Sequence, residues 1–380
     1  MRSGGLFTAA SAVLLAVVPV SAKTGAKPPQ APPNSGYLFN DAHFHLTNYI
    51  QKGLTIRQYL AIMGDKVKRS TLCGIPLQQS WSYANSGDSA PTYYLHTDAP
   101  LYYYSFVDAM IATSYLSLPQ KDRDRLDPMI TGFNPADMYG VDHIRRVLET
   151  YPGVFSGIGE FSIHKEFVSS KIPGDVATLT NPALDRILDF AGEVGLVVIL
   201  HCDIDIPFAK TNAPPVYFEQ MRALLARHPN TKIIWAHTGL GRVVHPADVQ
   251  ATTTDSERPP NHMELISSIL SDPAMRNVYF DISWDEVAKY ATSSPEVEKK
   301  VAQALARYPD RFLFGTDNVA PPNIEADLKV FHLWDRIFGQ LDERTKYLVA
   351  FGNYERLFDE ARSRVRNWER SNGLGKPESK

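Results

Sequence analysis

Cysteine is nearly absent: Cys73 and Cys202 are the only two in 380 residues. A chain of this length therefore does not rest on a disulfide framework. One bridge is the most it can form, and the place of Cys202 at the end of an apolar run favours two separate buried thiols. Excess charge is missing as well. Thirty-nine Lys plus Arg against 42 Asp plus Glu leave a formal charge of -3, and no basic run is long enough to track a phosphate backbone, so nucleic acid is not an expected partner. Beyond residue 20 no apolar run approaches the roughly 20 residues that a membrane-spanning helix needs.

The one long apolar run lies at the start. Arg2 is followed by Leu6 to Val20, and Val20-Ser21-Ala22 has the form of a signal-peptidase site. This pattern predicts a signal peptide over residues 1–22, cleaved to leave a secreted or periplasmic protein with no stable membrane anchor. No Cys follows the run, so the lipoprotein form of an anchor does not apply. Residues 23–36, rich in Pro, Gly and small polar side chains, read as a flexible leader. The folded body is expected over 37–370 and a polar tail over 371–380.

What remains can bury a large core, since 44% of the chain is hydrophobic. Short apolar runs suited to buried parallel strands alternate with stretches of helical period. The strands expected are Tyr37 to Ala42, Thr71 to Leu77, Pro128 to Phe133, Phe155 to Gly159, Leu196 to Leu200, Lys232 to Ala236, Val278 to Asp281 and Phe312 to Gly315. Helices are expected over Asp137 to Thr150, Asn181 to Val194, Val216 to Arg227, His262 to Leu270 and Pro295 to Arg307. Eight strands with helices between them predict an α/β fold, a closed (β/α)8 TIM barrel in one domain. Gln78 to Asp127, carrying Tyr93, Tyr94, Tyr102, Tyr103 and Tyr104, exceeds a minimal barrel. It reads either as a wall over the barrel mouth or as an external packing or oligomer contact, and a homo-oligomer stays open. From Asn323 onward, helical patterns read as capping helices.

Chemistry concentrates at the ends of the apolar runs. The first ends in His43-Phe44-His45, where alternation along a strand turns both imidazoles to one side. The fifth runs into His201, the sixth into His237, and the eighth leads through Thr316 to Asp317. Barrel active sites are assembled at the C-terminal strand ends. Imidazole and carboxylate side chains gathered there suit a divalent cation such as zinc.

The set Asp41-Ala42-His43-Phe44-His45, Gly159-Glu160, Leu200-His201, Ala236-His237-Thr238-Gly239 and Gly315-Thr316-Asp317 resembles the amidohydrolase superfamily. The nearest likeness is its amidohydrolase-related branch, which also holds lactonases, hydratases and decarboxylases related to aminocarboxymuconate semialdehyde decarboxylase. Gly352-Asn353 and Arg356-Leu357-Phe358 resemble the ending of that branch. The resemblance implies that His43, His45, His201 and Asp317 bind one divalent metal, most often zinc, and that His237 contacts the activated water or the substrate. Asp317 then takes the water's proton while His237 polarises the group attacked. Glu160 either bridges to a second metal held with His201 and His237, or orients a ligand in a one-metal site; one metal is expected.

Arg242, Lys165 and His164 are candidates for binding a small-molecule substrate. His96, His143, His228, His245, His262 and His332 have no partner set and are expected to be solvated. The leading function is hydrolysis of an amide, ester or lactone by a metal-activated water. The alternatives are a metal-dependent decarboxylase and a non-catalytic exported binding protein.

Overall fold

The computed structural model describes residues 36–48, 53–76, 105–165, 177–209, 214–242, 244 and 261–374. The expected signal peptide, nearly all of the leader, the Tyr-rich stretch, His96, His245 and most of the polar tail lie outside the described residues.

In chain order the strands are β1 (Phe39–Asp41), β2 (Phe44–His45), β3 (Val67–Leu72), β4 (Leu126–Ile130), β5 (Gly157–Ser162), β6 (Val197–His201), β7 (Ile233–Trp235), β8 (Val278–Asp281), β9 (Phe312–Leu313) and β10 (Asn318–Val319). The helices are α1 (Ile56–Met63), α2 (Phe106–Leu116), α3 (Gln120–Arg123), α4 (Gly140–Thr150), α5 (Pro182–Val194), α6 (Phe218–Arg227), α7 (His262–Ser271), α8 (Asp285–Ala291), α9 (Pro295–Arg307), α10 (Ile324–Leu333), α11 (Asp335–Phe338), α12 (Glu343–Tyr347) and α13 (Asn353–Ser371).

Eight strands form one parallel sheet in the order β1-β3-β4-β5-β6-β7-β8-β9. Its two edges meet, because the Ala42 amide donates to Phe314 O at 3.0 Å and the Asp317 amide to His43 O at 2.7 Å, and β10 pairs in parallel with β2. The fold is therefore the (β/α)8 barrel. Parallel strands covered on both faces read as continuous apolar runs, and every residue of Val197-Val198-Ile199-Leu200 is buried. Helix starts follow their capping chemistry: the Asn181 side chain accepts from the Ala183 amide ahead of α5, and Asn261 with Glu264 forms a capping box on α7.

Inside the barrel, Ala42, Met129, Val197, Ile199, Ile234 and Leu313 pack with Tyr354, Leu357, Phe358 and Ala361 of α13, which plugs the N-terminal end of the strands. Cys73 and Cys202 are free and buried. Among the described residues no helix is long and apolar enough to cross a membrane.

Some elements differ from the sequence reading. β3 begins at Val67 and β4 at Leu126, earlier than their apolar runs, while α1, α2, α3 and α8 were not expected as helices. His228 and His262 are buried, at 4% exposure each, rather than solvated: His228 stands between Asp185 at 2.7 Å and Asp189 at 2.8 Å. His143 is half-buried and pairs with Asp108 at 2.9 Å.

Candidate metal centre

The strand ends bring five of the expected residues and Glu160 to the C-terminal rim. His43 and His45 flank Phe44, whose ring turns away to stack on Tyr59 at 3.6 Å. Their Nε2 atoms face each other at 3.2 Å. Asp317 Oδ1 lies 3.1 Å from His45 Nε2 and 3.4 Å from His43 Nε2. Glu160 Oε2 completes the group at 3.1 Å from His45 and 3.6 Å from His43.

Two glycines permit this crowding. Gly159 has φ +104°, and a Cβ there would collide with the Ile199 carbonyl; a Cβ on Gly315 would lie 2.8 Å from the Cβ of His43. The backbone also adopts left-handed φ at His237 (57°), Thr238 (53°) and Asp317 (53°), a conformation uncommon for non-glycine residues and enriched at functional sites.

His201 is not in that first group. Its Nδ1 lies 2.6 Å from Glu160 Oε1 and its Nε2 3.0 Å from Asp203 Oδ1. With His237 Nε2 at 3.6 Å from Glu160 Oε1, a second group forms. Two sets of ligand atoms thus share one carboxylate: His43, His45, Glu160 and Asp317 on one side, Glu160, His201 and His237 on the other, the atoms of each within 4.8 Å of one another.

Behind them stands Asp281, which sequence reasoning missed although it ends the apolar run Val278–Asp281 as His201 ends its own. His43 Nδ1 donates to Asp281 Oδ2 at 3.0 Å, which leaves the Nε2 side of His43 facing the centre. Asp281 Oδ1 accepts the His237 amide at 2.8 Å and the Ser283 hydroxyl. Since the Ser283 proton is committed to Asp281, Ser283 Oγ accepts from His237 Nδ1 at 2.8 Å. The Nε2 of His237 then carries a lone pair.

Burial raises the cost of charge on Glu160, yet Lys165 and His201 outweigh it and hold its pKa well below the usual carboxylate range. Asp317 is likewise drawn low by His237 and His43 against burial. Both are ionised at neutral pH. Burial also works against a charged His43, but Asp281 and Asp317 raise its pKa well above the ordinary histidine value.

The donor set fits a divalent cation. Two ionised carboxylates and several imidazoles converge, and the buried His237 Nε2 has no hydrogen-bond partner, whereas buried polar atoms ordinarily do.

Around this core, Lys165 is buried with Nζ 3.5 Å from Glu160 Oε1. Arg242 lies over the Trp284 ring at 5.5 Å, and that ring is 5.1 Å from His237. His164 stacks flat on Tyr217 at 3.8 Å and belongs to neither ligand group. Sequence reasoning missed Ser283, Trp284 and Asp203 because none of them sits in an apolar run.

A family model described as amidohydrolase matches residues 41–359. No curated protein matches the chain. Among solved structures, an Agrobacterium tumefaciens protein in its apo form is 13% identical with a TM-score of 0.50, the match covering 88% of this chain and 98% of that one. A putative 2-pyrone-4,6-dicarboxylic acid hydrolase from Pseudomonas putida is 13% identical with a TM-score of 0.48, over 85% of this chain and 98% of that one. A 5-carboxyvanillate decarboxylase from Sphingomonas paucimobilis is 15% identical with a TM-score of 0.41, over 80% and 82%. Identities this low speak to the fold alone.

Proposed function

The chain belongs to the amidohydrolase family, and from that premise we propose that it is a metal-dependent hydrolase of an amide, ester or lactone bond. The observation that carries this reading is Glu160, an ionised carboxylate set between His43, His45 and Asp317 on one side and His201 and His237 on the other. Glu160 would then be held in common by two divalent cations, zinc by the chemistry of the donors, with His43, His45 and Asp317 holding one and His201 and His237 the other. When bound, such a cation acts as a Lewis acid and lowers the pKa of a water toward about 7.

The chain's own groups do the rest. Asp317, held ionised, accepts a proton at the carboxylate oxygen that does not face His45. Asp281 holds the ring of His43 and the backbone of His237 through one carboxylate, which orients both imidazoles. His237, whose Nδ1 donates to Ser283 Oγ, would serve at Nε2 as a ligand rather than as a donor to substrate. Lys165 and Arg242 supply positive charge at the edge of the site, where Trp284 offers a flat wall. Those cations suit a substrate bearing an acidic group. They also favour a second reading, decarboxylation of a carboxylate substrate, because the same charges would orient the leaving carboxylate. The leader pattern over 1–22 supports export of the enzyme.

Metal analysis of the purified protein tests the assignment. About two equivalents are expected, falling to about one in Glu160→Gln; a single equivalent in both proteins overturns the shared-ligand role. Turnover in ¹⁸O-labelled water should place the label in an acid product. Release of carbon dioxide with no label incorporated replaces hydrolysis by decarboxylation.

A further inference from the structure

Three of the rim histidines are anchored by a neighbour at one ring nitrogen, and the anchors differ. His43 is held at Nδ1 by Asp281 and His237 at Nδ1 by Ser283, so both turn Nε2 toward the centre. His201 is turned the other way. Its Nε2 donates to Asp203 Oδ1 at 3.0 Å, which leaves Nδ1 on the side of Glu160, 2.6 Å from Oε1. His201 and Asp203 are each 1% exposed, so the bond between them is shielded from water.

Three loops place Asp203. It stands two residues beyond His201 at the end of β6, and its amide donates to the His164 carbonyl, after β5, at 2.7 Å. The next amide, that of Ile204, donates to the Gly239 carbonyl, after β7, at 2.7 Å. The β7 loop also makes room for the carboxylate: a Cβ on Gly241 would lie 2.6 Å from Asp203 Oδ1 and 3.0 Å from its Cγ. Gly241 is not among the glycines of positive φ, so what glycine supplies here is space and not backbone freedom.

Resting on the two-cation reading above, we propose that Asp203 is the positioning residue of the second cation site and sets the affinity of that site alone. By keeping the proton on Nε2 of His201, it fixes the ring's angle and makes Nδ1 the ligand atom. The first site does not depend on it. His43, His45, Glu160 and Asp317 gather there, and Asp281 anchors His43. The second site has only His201, His237 and the shared Glu160, so a loosened His201 costs it one ligand of three. With fewer ligands it is also the weaker of the two, and its loss can be read separately.

The test titrates zinc into the metal-free full chain against a chromophoric chelator, which resolves the tighter equivalent from the weaker. In Asp203→Leu the weaker equivalent should lose about 10- to 100-fold in affinity, the usual effect of removing the partner behind a metal-ligating histidine, while the tighter one keeps its own. Gly241→Ala leaves the carboxylate in the chain but pushes it off the ring, and it should weaken the same equivalent; it carries the test should Asp203→Leu fail to fold. Asp203→Asn keeps an acceptor oxygen in the same place and should recover most of the loss. Two equivalents of unaltered affinity in folded Asp203→Leu or Gly241→Ala overturn the proposal and leave the two-cation reading standing. Equal weakening of both equivalents, or no recovery in Asp203→Asn, makes Asp203 a structural residue and overturns it too. A single equivalent in the unaltered protein overturns the two-cation reading itself, and the role of Asp203 falls with it.

Discussion

Each end of this barrel buries carboxylates, and the two ends treat them in opposite ways. At the N-terminal end Asp127 is fully buried. Its Oδ2 accepts from Arg69 at 3.0 Å and from the Tyr354 hydroxyl at 2.8 Å, and its Oδ1 from Arg362 at 2.6 Å and Ser156 at 3.3 Å. Every charge there has a fixed partner on the chain. At the C-terminal end Glu160 and Asp317 face imidazoles instead, and His237 Nε2 is left with no hydrogen-bond partner. The same residue types serve as a clasp at one end and as a half-built coordination shell at the other. Carboxylates clasped by the chain's own cations hold the fold, whereas carboxylates gathered with imidazoles at the strand ends suit a divalent cation.

Removing an imidazole at the rim should give the largest effect. His45→Ala deletes a ligand that no neighbour replaces at the same angle, so metal content and activity should fall together, turnover by on the order of 10⁴-fold. Stability of the metal-free protein should change by less than about 1 kcal/mol, because His45 is no part of the clasp. Metal analysis, kinetics and urea unfolding read these outcomes. Full occupancy in a folded variant removes His45 from the coordination shell.

At the other end the loss should reverse its character. Asp127→Ala strands two guanidinium groups beside an empty space, a change that costs roughly 3 to 5 kcal/mol. The fraction that stays folded should keep its metal and its turnover. An Asp127→Ala protein of ordinary stability that has lost metal would erase the division between the two ends.

His237 tests the comparison within the rim itself. His237→Asn leaves His43, His45, Glu160 and Asp317 in place, so at least one equivalent of metal should remain. Turnover should drop by on the order of 10²-fold, because the cation held with Glu160 and His201 would lose an imidazole ligand. If activity survives, Nε2 of His237 faces the site without acting in it.

The sequence pattern exposes the rim better than the base. His201, His237 and Asp317 follow apolar runs, so their strand-end positions are legible from periodicity alone. Asp281 was equally legible in principle, being the last residue of Val278–Asp281. It escapes notice because no motif residue stands beside it and its partner His43 is 238 residues away. At the base, Lys68 and Arg69 hide the start of β3. They look like solvated residues ahead of an apolar run, yet they pair with Glu355, Asp127 and Asp359. Asp127 conceals the start of β4 in the same way. His228 reads as a surface histidine on a loop until Asp185 and Asp189 of α5 are seen beside it. Local patterns report burial by apolar neighbours, and they are silent about charges neutralised across the fold.

The smallest expected effect is also the one that separates the two ends by pH. Burial alone would raise the pKa of Asp127, but Arg69 and Arg362 outweigh it and lower it below its ordinary value. A carboxylate depressed in the folded state stabilises the protein above its unfolded pKa of about 3.9 and loses that contribution as pH falls through the lower folded value. Arg362→Gln removes one of the two cations while keeping a donor near Asp127 Oδ1. At pH 7 it should cost roughly 1.5 to 3 kcal/mol, the range for a hydrogen bond to a charged group. The difference from the unaltered protein should shrink as pH falls through the folded pKa of Asp127, which is reached first in the variant, where one cation is gone, and at lower pH in the unaltered protein. Urea unfolding at pH 7 and at pH 3 measures this directly on metal-free protein, which keeps the rim out of the comparison. A penalty that is the same at both pH values would mean that Arg362 holds the base through its bonds to the Asp124 and Leu126 carbonyls, with the charge of Asp127 playing no part.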